Sequence, residues 1–381
     1  MPSGPVFLLN GRYMDYMARA LELARGALGS TSPNPAVGAV IVRDGSVVGE
    51  GCTQPPGGPH AEIVALRRAG KGARGADLYV TLEPCCCFGR TPPCTQALIA
   101  AGVAAVHTAT LDPNPLVAGR GARDLQGAGI AVTVGEREAE ARELNEGFFK
   151  YITTARPFLA VKYAMSLDGK IATHTGHARW VTGPEARRRV HELRRAADAI
   201  LVGLGTVLAD DPLLTVRLEG DEESRQPWRV VADTYCRLPV ESRLLNDAYA
   251  ARTIVATTPA SPAEARAAVR ARGAEVLVLP ARDGRVDLAG LAARLAGRGI
   301  INLLAEAGST LTASLFALGL ADKVYAFVAP KVVGGSAAPT PVGGEGVATM
   351  DAARLLRLAK VERLGPDVLL VAYPRPEGEE G

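Results

Sequence analysis

An α/β chain of two domains is what this sequence predicts, and three observations carry that reading. Short apolar runs of strand length alternate with stretches of helical period almost from end to end, the pattern of strands joined through helices. With 381 residues the chain exceeds the ~100–150 residues of one typical core. The alternation also stops near Pro157 and starts afresh at "FLAVKYAM". Domains over residues 1–153 and 154–381 follow, the second with a larger, mostly parallel sheet.

In chain order, residues 15–27 place apolar side chains at helical spacing. "AVGAVIVRDGSVVGEG" then gives two apolar runs joined by Asp44-Gly45, a strong hairpin signal. A helix over about 60–69 leads to the strand "ADLYVTLE", the helix "TQALIAAG" and the strand "VAAVHTAT". "DPNP" breaks the chain, and residues 138–149 read as a closing helix. In the second half, strands are expected at 159–165, 199–203, 229–233, 253–256, 276–279, 301–305, 323–328 and 367–373. "RLEGDEESRQP" reads as a loop and "PRPEGEEG" as a frayed tail.

Composition narrows the function. Hydrophobic residues make up 48% and charged residues 22%, an ordinary globular balance with ample apolar surface to bury. Lys plus Arg number 43 against 40 for Asp plus Glu, so no strong field invites nucleic acid or a membrane surface. No apolar run reaches the ~18–20 residues of a spanning helix, and the first residues lack the pattern of a signal peptide. A cytoplasmic protein is expected. Four of the six cysteines crowd one loop, a poor disulfide framework and a plausible metal site.

That loop is "TLEPCCCFGRTPPC", and "PHAEIVALRRAG" precedes it. His60 and Glu62 fall at the expected start of a helix, after the turn-forming "PPGGP". Cys85 follows a strand through Pro84, at the end of the strand where open α/β sheets carry their sites. One histidine and two cysteines suit zinc with a fourth position left open, the arrangement of a catalytic site. A structural zinc knuckle is the alternative, but it fills all four positions and needs no neighbouring glutamate. Zinc deaminases read H-x-E followed by P-C-x-x-C, with the glutamate moving protons. "HAE" matches; the second half is stretched, because Phe88 stands where the second cysteine is due and Cys94 comes only after "GRTPP".

With "NPAVGAVIV", "GGPHAEIVAL", "YVTLEPC", "GRTPPC" and "DPNPLVAGRG", the chain resembles the bifunctional deaminase/reductase of bacterial riboflavin biosynthesis, whose deaminase half has this lengthened spacing. The likeness implies a cytidine-deaminase-like α/β/α zinc domain followed by a dihydrofolate-reductase-like domain. It implies zinc on His60, Cys85 and Cys94, with Glu62 as proton shuttle. Zinc would bring the pKa of water towards ~7 for attack on an amino-bearing ring carbon, and Glu62 would relay the proton. By the same likeness Asn34 contacts substrate and Arg90 its phosphate. Cys87 stands where the family usually has a substrate-contacting histidine.

"VKYAMSLDGKIAT" opens the part that resembles the reductase. Lys162, a lysine inside an apolar strand, is implied at the active site near the reacting sugar. Asp210, beside Asp211 in "LADDP", is implied in cofactor contact or proton handling. "NLLAEAGSTLTASLF" passes from strand to small-residue turn to helix, whose N-terminus suits the cofactor's phosphates. The resemblance implies NADPH lined by Gly308, Ser309, Thr310, Leu311, Thr312, Ala313 and Ser314, with Ala164, Trp180, Thr206, Asp210 and Thr234. It implies Arg194 and Arg217 on the sugar phosphate, joined by Ala178, Leu214 and Glu306, arginine being the type that grips phosphate with two donors at once.

The expected activity is hydrolytic deamination of a diaminopyrimidinone ribosyl phosphate, then NADPH-dependent reduction of the ribosyl chain to ribityl, in a homo-oligomer without nucleic-acid or membrane partners. Cys87 motivates one alternative, a paralogue acting on another pyrimidine or pterin precursor; a chain keeping only one activity is the other. A nucleic-acid deaminase fits poorly with near-neutral charge and a large second domain.

Overall fold

The computed structural model describes residues 7–9, 12–88, 92–220 and 225–375. The chain divides into two compact units between Ala155 and Arg156. The boundary expected at 153/154 falls in the last turn of a helix that ends at Thr154, closed by Ala155 in the left-handed region at φ 55°.

The first unit begins with β1 (Phe7–Leu9), β2 (Arg12–Met14), α1 (Tyr16–Ala27), β3 (Gly38–Arg43) and β4 (Ser46–Cys52). It continues with α2 (Ala61–Ala69), β5 (Asp77–Val80), α3 (Cys94–Ala101) and β6 (Ala105–Thr108), then α4 (Arg120–Gly127), β7 (Ala131–Val134), α5 (Glu138–Leu144) and α6 (Glu146–Thr154). Five strands form one sheet in the order β4-β3-β5-β6-β7, with β5, β6 and β7 parallel and β3 antiparallel to both its neighbours. The β3–β4 hairpin turns at Asp44-Gly45, both at positive φ.

Two glycines explain why helices cover both faces. A Cβ on Gly38 would lie 1.9 Å from the Ala20 carbonyl of α1, and one on Gly51 would lie 2.4 Å from the Ala61 carbonyl of α2. Gly38 pairs with Cys52 and Ala39 with Gly51, so the two glycines point to opposite faces. The result is a three-layer unit, with Tyr16, Met17, Leu21, Val40 and Tyr79 buried together on the α1 side. The single closing helix expected over 138–149 is two helices. Asn145 breaks them, its buried side chain accepting from the Ala36 N–H at 2.8 Å and donating to the Ala36 carbonyl at 2.9 Å.

The second unit starts with β8 (Phe158–Ser166), α7 (Pro184–Ala196), β9 (Ala199–Gly203), α8 (Leu204–Asp210), β10 (Trp228–Ala232) and α9 (Arg243–Asn246). Next come β11 (Thr253–Thr257), α10 (Ala263–Ala271), β12 (Glu275–Val278), β13 (Ala281–Arg282), β14 (Arg285–Val286) and α11 (Leu288–Ala296). It ends with β15 (Asn302–Ala305), α12 (Ser309–Ala317), β16 (Lys323–Ala329), β17 (Leu356–Leu364) and β18 (Asp367–Pro374). The sheet order is β12-β11-β10-β9-β15-β8-β16-β18-β17. It is parallel from β12 through β16, and the last two pairings, β16 with β18 and β18 with β17, are antiparallel.

Alternate residues of these parallel strands feed two cores, as period-two side chains of a doubly covered sheet must. Leu159, Val161, Leu201, Val230 and Ile254 pack against Leu291, Leu295 and Leu315 of α11 and α12. Ile200, Val202, Val231 and Val255 pack on the other face against Val207, Leu244 and Val269. β15 and β9 are neighbours although far apart in sequence, so α8 and α12 start side by side at the ends of adjacent strands. Open α/β sheets hold ligands at such a point.

Candidate active sites

In the first unit β3 starts, and β4 and β5 end, at one edge of the sheet. There the Thr81 hydroxyl accepts from the Gly38 N–H at 3.1 Å, and the Thr53 hydroxyl accepts from the Val37 N–H at 3.1 Å. The segments leaving this edge carry the candidate residues. His60 is the N-cap of α2 and Glu62 lies in its first turn. Cys94 is the first residue of α3. His60 Nδ1 lies 3.5 Å from Cys85 Sγ and 3.3 Å from Cys94 Sγ. The Cys94 N–H donates to Cys85 Sγ at 3.3 Å, so the start of α3 favours a thiolate there.

All three ligand atoms lie within 4.8 Å of one another. The N···S distances are close to the ~3.6 Å that ordinary Zn–N and Zn–S bonds impose across a tetrahedron. The two thiols share charge unequally. Hydrogen bonding from Cys94 and His60 holds Cys85 down at about 4 against the cost of burial. Cys94 is pushed up by its bond to Cys85 and by burial, and His60 is raised by the sulfur of Cys85. Glu62, 4% exposed, is pushed up to about 7, chiefly by burial and then by the charge of Cys85. A carboxyl near neutrality can both take and give a proton.

Glu83 holds the loop beyond Cys85 in place. Its buried carboxylate accepts from the N–H groups of Asp112 (3.1 Å), Gly119 (2.9 Å) and Ala122 (3.1 Å), fastening the "DPNP" segment and the start of α4 beside Pro84-Cys85. Cys87 donates through its thiol to the Leu116 carbonyl at 3.0 Å, and Cys86 lies 3.8 Å from it.

In the second unit the ends of β8, β9, β10 and β15 open into a cavity of about 1850 Å3. Glu306 follows β15 and is the centre of its charge. It accepts from Arg194 Nε at 2.5 Å and Nη2 at 3.0 Å, and Lys162 Nζ of β8 lies 3.5 Å away. Burial alone would raise the Glu306 carboxyl, but the two cations outweigh it and hold it at about 2. Arg217 donates its backbone N–H to His191 Nδ1 at 3.2 Å and its guanidinium to the Thr215 hydroxyl at 2.7 Å. Among the described residues it has no carboxylate partner, and burial with the nearby Arg194 and Arg243 lowers its pKa. Fully buried Arg229 donates to Asp247 at 2.5 Å and to the Leu213 carbonyl at 3.3 Å, fixing the segment that carries Leu214 and Arg217.

Residues 157–370 match the RibD C-terminal domain, and residues 12–110 match the cytidine and deoxycytidylate deaminase zinc-binding region. The riboflavin biosynthesis protein RibD of Actinobacillus pleuropneumoniae is 46% identical over 94% of this chain and 94% of its own. The RibD of Escherichia coli is 45% identical, covering 93% and 97%. The chain belongs to the RibD family. Solved RibD structures agree: that of Acinetobacter baumannii is 38% identical with a TM-score of 0.83, covering 95% of this chain and 98% of that one. A Thermotoga maritima structure described as a diaminohydroxyphosphoribosylaminopyrimidine deaminase/5-amino-6-(5-phosphoribosylamino)uracil reductase is 36% identical with a TM-score of 0.81, covering 94% and 98%.

Zinc and NADPH are thus the groups these RibD-family residues must accommodate. The His60, Cys85 and Cys94 donor set fits zinc by type and distance. The cavity fits a dinucleotide: α12 presents its N-terminus into it, and a Cβ on Gly308 would meet only the Thr206 hydroxyl, at 3.5 Å. Lys162, Ala164, Ala178, Trp180, Thr206, Asp210, Leu214, Thr234 and Glu306 line the cavity, as do Gly308, Ser309, Thr310, Leu311 and Ser314.

Three of the expected residues are set apart by their surroundings. Thr312 is fully buried, its hydroxyl donating to the Ala307 carbonyl at 3.4 Å, and Ala313 is half-buried. Arg194 lines the cavity, but three of its five donors go to Glu306 and the Thr215 carbonyl. Asn34 sits half-buried in a turn, its N–H donating to the Thr31 carbonyl at 2.9 Å, two residues before the Ala36 that Asn145 clamps. Arg90 lies outside the described residues.

Sequence reading missed Glu83, Asp112 and His191. An acid ending the apolar run "LYVTLE" was the available signal for Glu83. Asp112 lies in "DPNPLVAGRG", read as a chain break and as a family motif without a role for the acid.

Proposed function

We infer that this chain catalyses two successive steps of riboflavin biosynthesis, hydrolytic deamination of a diaminopyrimidinone ribosyl phosphate in the unit ending at Ala155 and NADPH-dependent reduction of its ribosyl chain in the unit beginning at Arg156. One observation carries the reading: buried Glu62 stands beside a three-donor zinc cluster, while Lys162 is held by ionised Glu306 at the sheet ends of a separate unit.

Zinc, when bound, brings the pKa of a water towards ~7. Glu62 would take one proton from the attacking water to the ring nitrogen, and a second from the resulting hydroxyl to the amine that leaves as ammonia. His60, Cys85 and Cys94 would hold the metal with three donors, leaving room for that water. Asn34, Arg90 and Cys87 are assigned to the substrate.

NADPH, when bound, supplies a hydride to C1′ of the opened ribose. Glu306 holds the Lys162 side chain in place toward the sugar, where its Nζ would donate the accompanying proton or hydrogen bond. Arg194 serves mainly to fix Glu306, and Arg217, without a carboxylate of its own, takes the substrate phosphate with Ala178 and Leu214 beside it. Asp210 and Thr234 flank the cofactor along with the start of α12.

A cytoplasmic homo-oligomer is the setting we propose. All six cysteines are free, which fits a reducing compartment, and no described helix is long and apolar enough to cross a membrane. Edge strand β17 exposes Leu356, Leu358 and Val361, an apolar edge that a second copy would cover. Sedimentation reading a single-chain mass would set the assembly aside. For the chemistry, the aminopyrimidine precursor should release ammonia without NADPH, and NADPH added afterwards should be consumed as the ribityl product forms. NADPH consumption with no prior ammonia release would sink this order of steps.

A further inference from the structure

One end of the reductase cavity holds charges that neither step uses. Hairpin β13–β14 turns through Asp283-Gly284, at φ 50° and 71°, and pairs Arg282 directly with Arg285. Side chains paired across a hairpin leave the same face, and like charges there repel. Both arginines are exposed and both line the cavity, as does Arg237, which lies over the Tyr235 ring at 5.5 Å. Among the described residues no ion pair reaches any of the three. Of the acids at this end, Asp233 is buried and accepts from the Leu238 N–H at 2.7 Å, and Asp283 occupies the turn itself.

The hairpin is held at a definite place. The Val286 N–H donates to the Thr234 hydroxyl at 3.4 Å, and Val286 is buried in the core beneath. Thr234 follows β10, while Lys162 lies on β8, and the order β10-β9-β15-β8 puts three strand spacings between them. At ~4.8 Å each that is about 14 Å, the reach of an extended dinucleotide. A dinucleotide with its reacting ring at Lys162 and its diphosphate at the N-terminus of α12 would reach the hairpin with its adenosine ribose.

We propose that Arg282 and Arg285, with Arg237 beside them, hold the 2′-phosphate of NADPH and set the preference for NADPH over NADH. The inference rests on the NADPH-dependent reading above. A phosphate dianion offers three acceptor oxygens to paired guanidinium forks and removes the repulsion between them. The 2′-hydroxyl of NADH does neither.

The test is calorimetric binding of 2′,5′-ADP and 5′-ADP to the full chain. Wild type should prefer 2′,5′-ADP. Arg282→Ser with Arg285→Ser should weaken 2′,5′-ADP by roughly 10- to 100-fold while 5′-ADP affinity holds, which also reports that the fold is intact. Arg285→Glu alone should act in the same direction. A double variant that keeps the preference, or loses both nucleotides equally, overturns the proposal while wild-type NADPH oxidation keeps the reductase reading standing. Wild type that binds neither nucleotide nor NADPH overturns both.

Discussion

The deaminase cluster draws its ligands from a short length of chain, His60 and Cys94 being 34 residues apart, whereas the reductase cluster closes the fork between Arg194 and Glu306 across 112 residues. The first depends on one strand end and two helix starts. The second depends on β15 being inserted between β9 and β8, a fact of sheet order. The contrast explains why spacing alone suggests a metal site in one unit, while resemblance is needed to assemble the other. It also implies that each site can be disabled without the other.

The largest expected effect comes from Glu62→Gln, which should slow ammonia release by roughly 10²- to 10⁴-fold with zinc content and NADPH oxidation of the deaminated compound unchanged. Retained ammonia release would remove Glu62 from the chemistry. Next is the reciprocal change. Lys162→Ala should lower NADPH oxidation by about 10²-fold or more with deamination intact. Glu306→Gln should also cost about 3–5 kcal/mol of stability, because it strands Arg194 and Lys162 without their buried partner. Denaturant unfolding would read that difference, and an unchanged midpoint would contradict the buried cluster.

A smaller effect concerns pH. Burial, Arg194 and Arg217 hold His191 down at about 4, below the ordinary ~6.5. Its folded pKa is depressed, so the neutral ring is favoured in the native state. The associated stability is complete above ~6.5 and is lost as pH falls from there towards about 4. His191→Gln should flatten the decline of melting temperature over that window; an identical decline would clear His191 of the role. The smallest expected change is Cys87→Ala, which removes one thiol hydrogen bond to Leu116 and should alter stability by less than about 1 kcal/mol without moving zinc content. KM for the pyrimidine should rise, as the substrate role proposed for Cys87 requires; an unchanged KM would remove that role.

Much of the fold was legible because parallel strands buried on both faces read as apolar runs. The expected 199–203 coincides with β9, and the Asp44-Gly45 hairpin stands as its turn residues require. What escaped lies in tertiary detail. Asn145 splits a helix because Ala36 needs its amide, a partner far away in sequence. β17 carries alternating polar and apolar residues on an exposed edge and left no apolar run to notice. In the deaminase site, ligand types and spacing were readable, but Glu83 acts through backbone N–H groups that leave no mark in sequence. In the reductase site, the turn at Gly308 was readable, but the pairing of Arg194 and Lys162 with Glu306 was not, because it joins residues far apart in sequence.

The central claim is one chain with two separable sites acting in sequence, and a chelation experiment tests it directly. Chain stripped of zinc is given NADPH with either the aminopyrimidine precursor or its deaminated product. NADPH should be consumed at the wild-type rate with the deaminated product and hardly at all with the precursor, and restoring zinc should restore the second reaction. Equal loss with both compounds, or consumption with the precursor in the absence of zinc, would contradict the account.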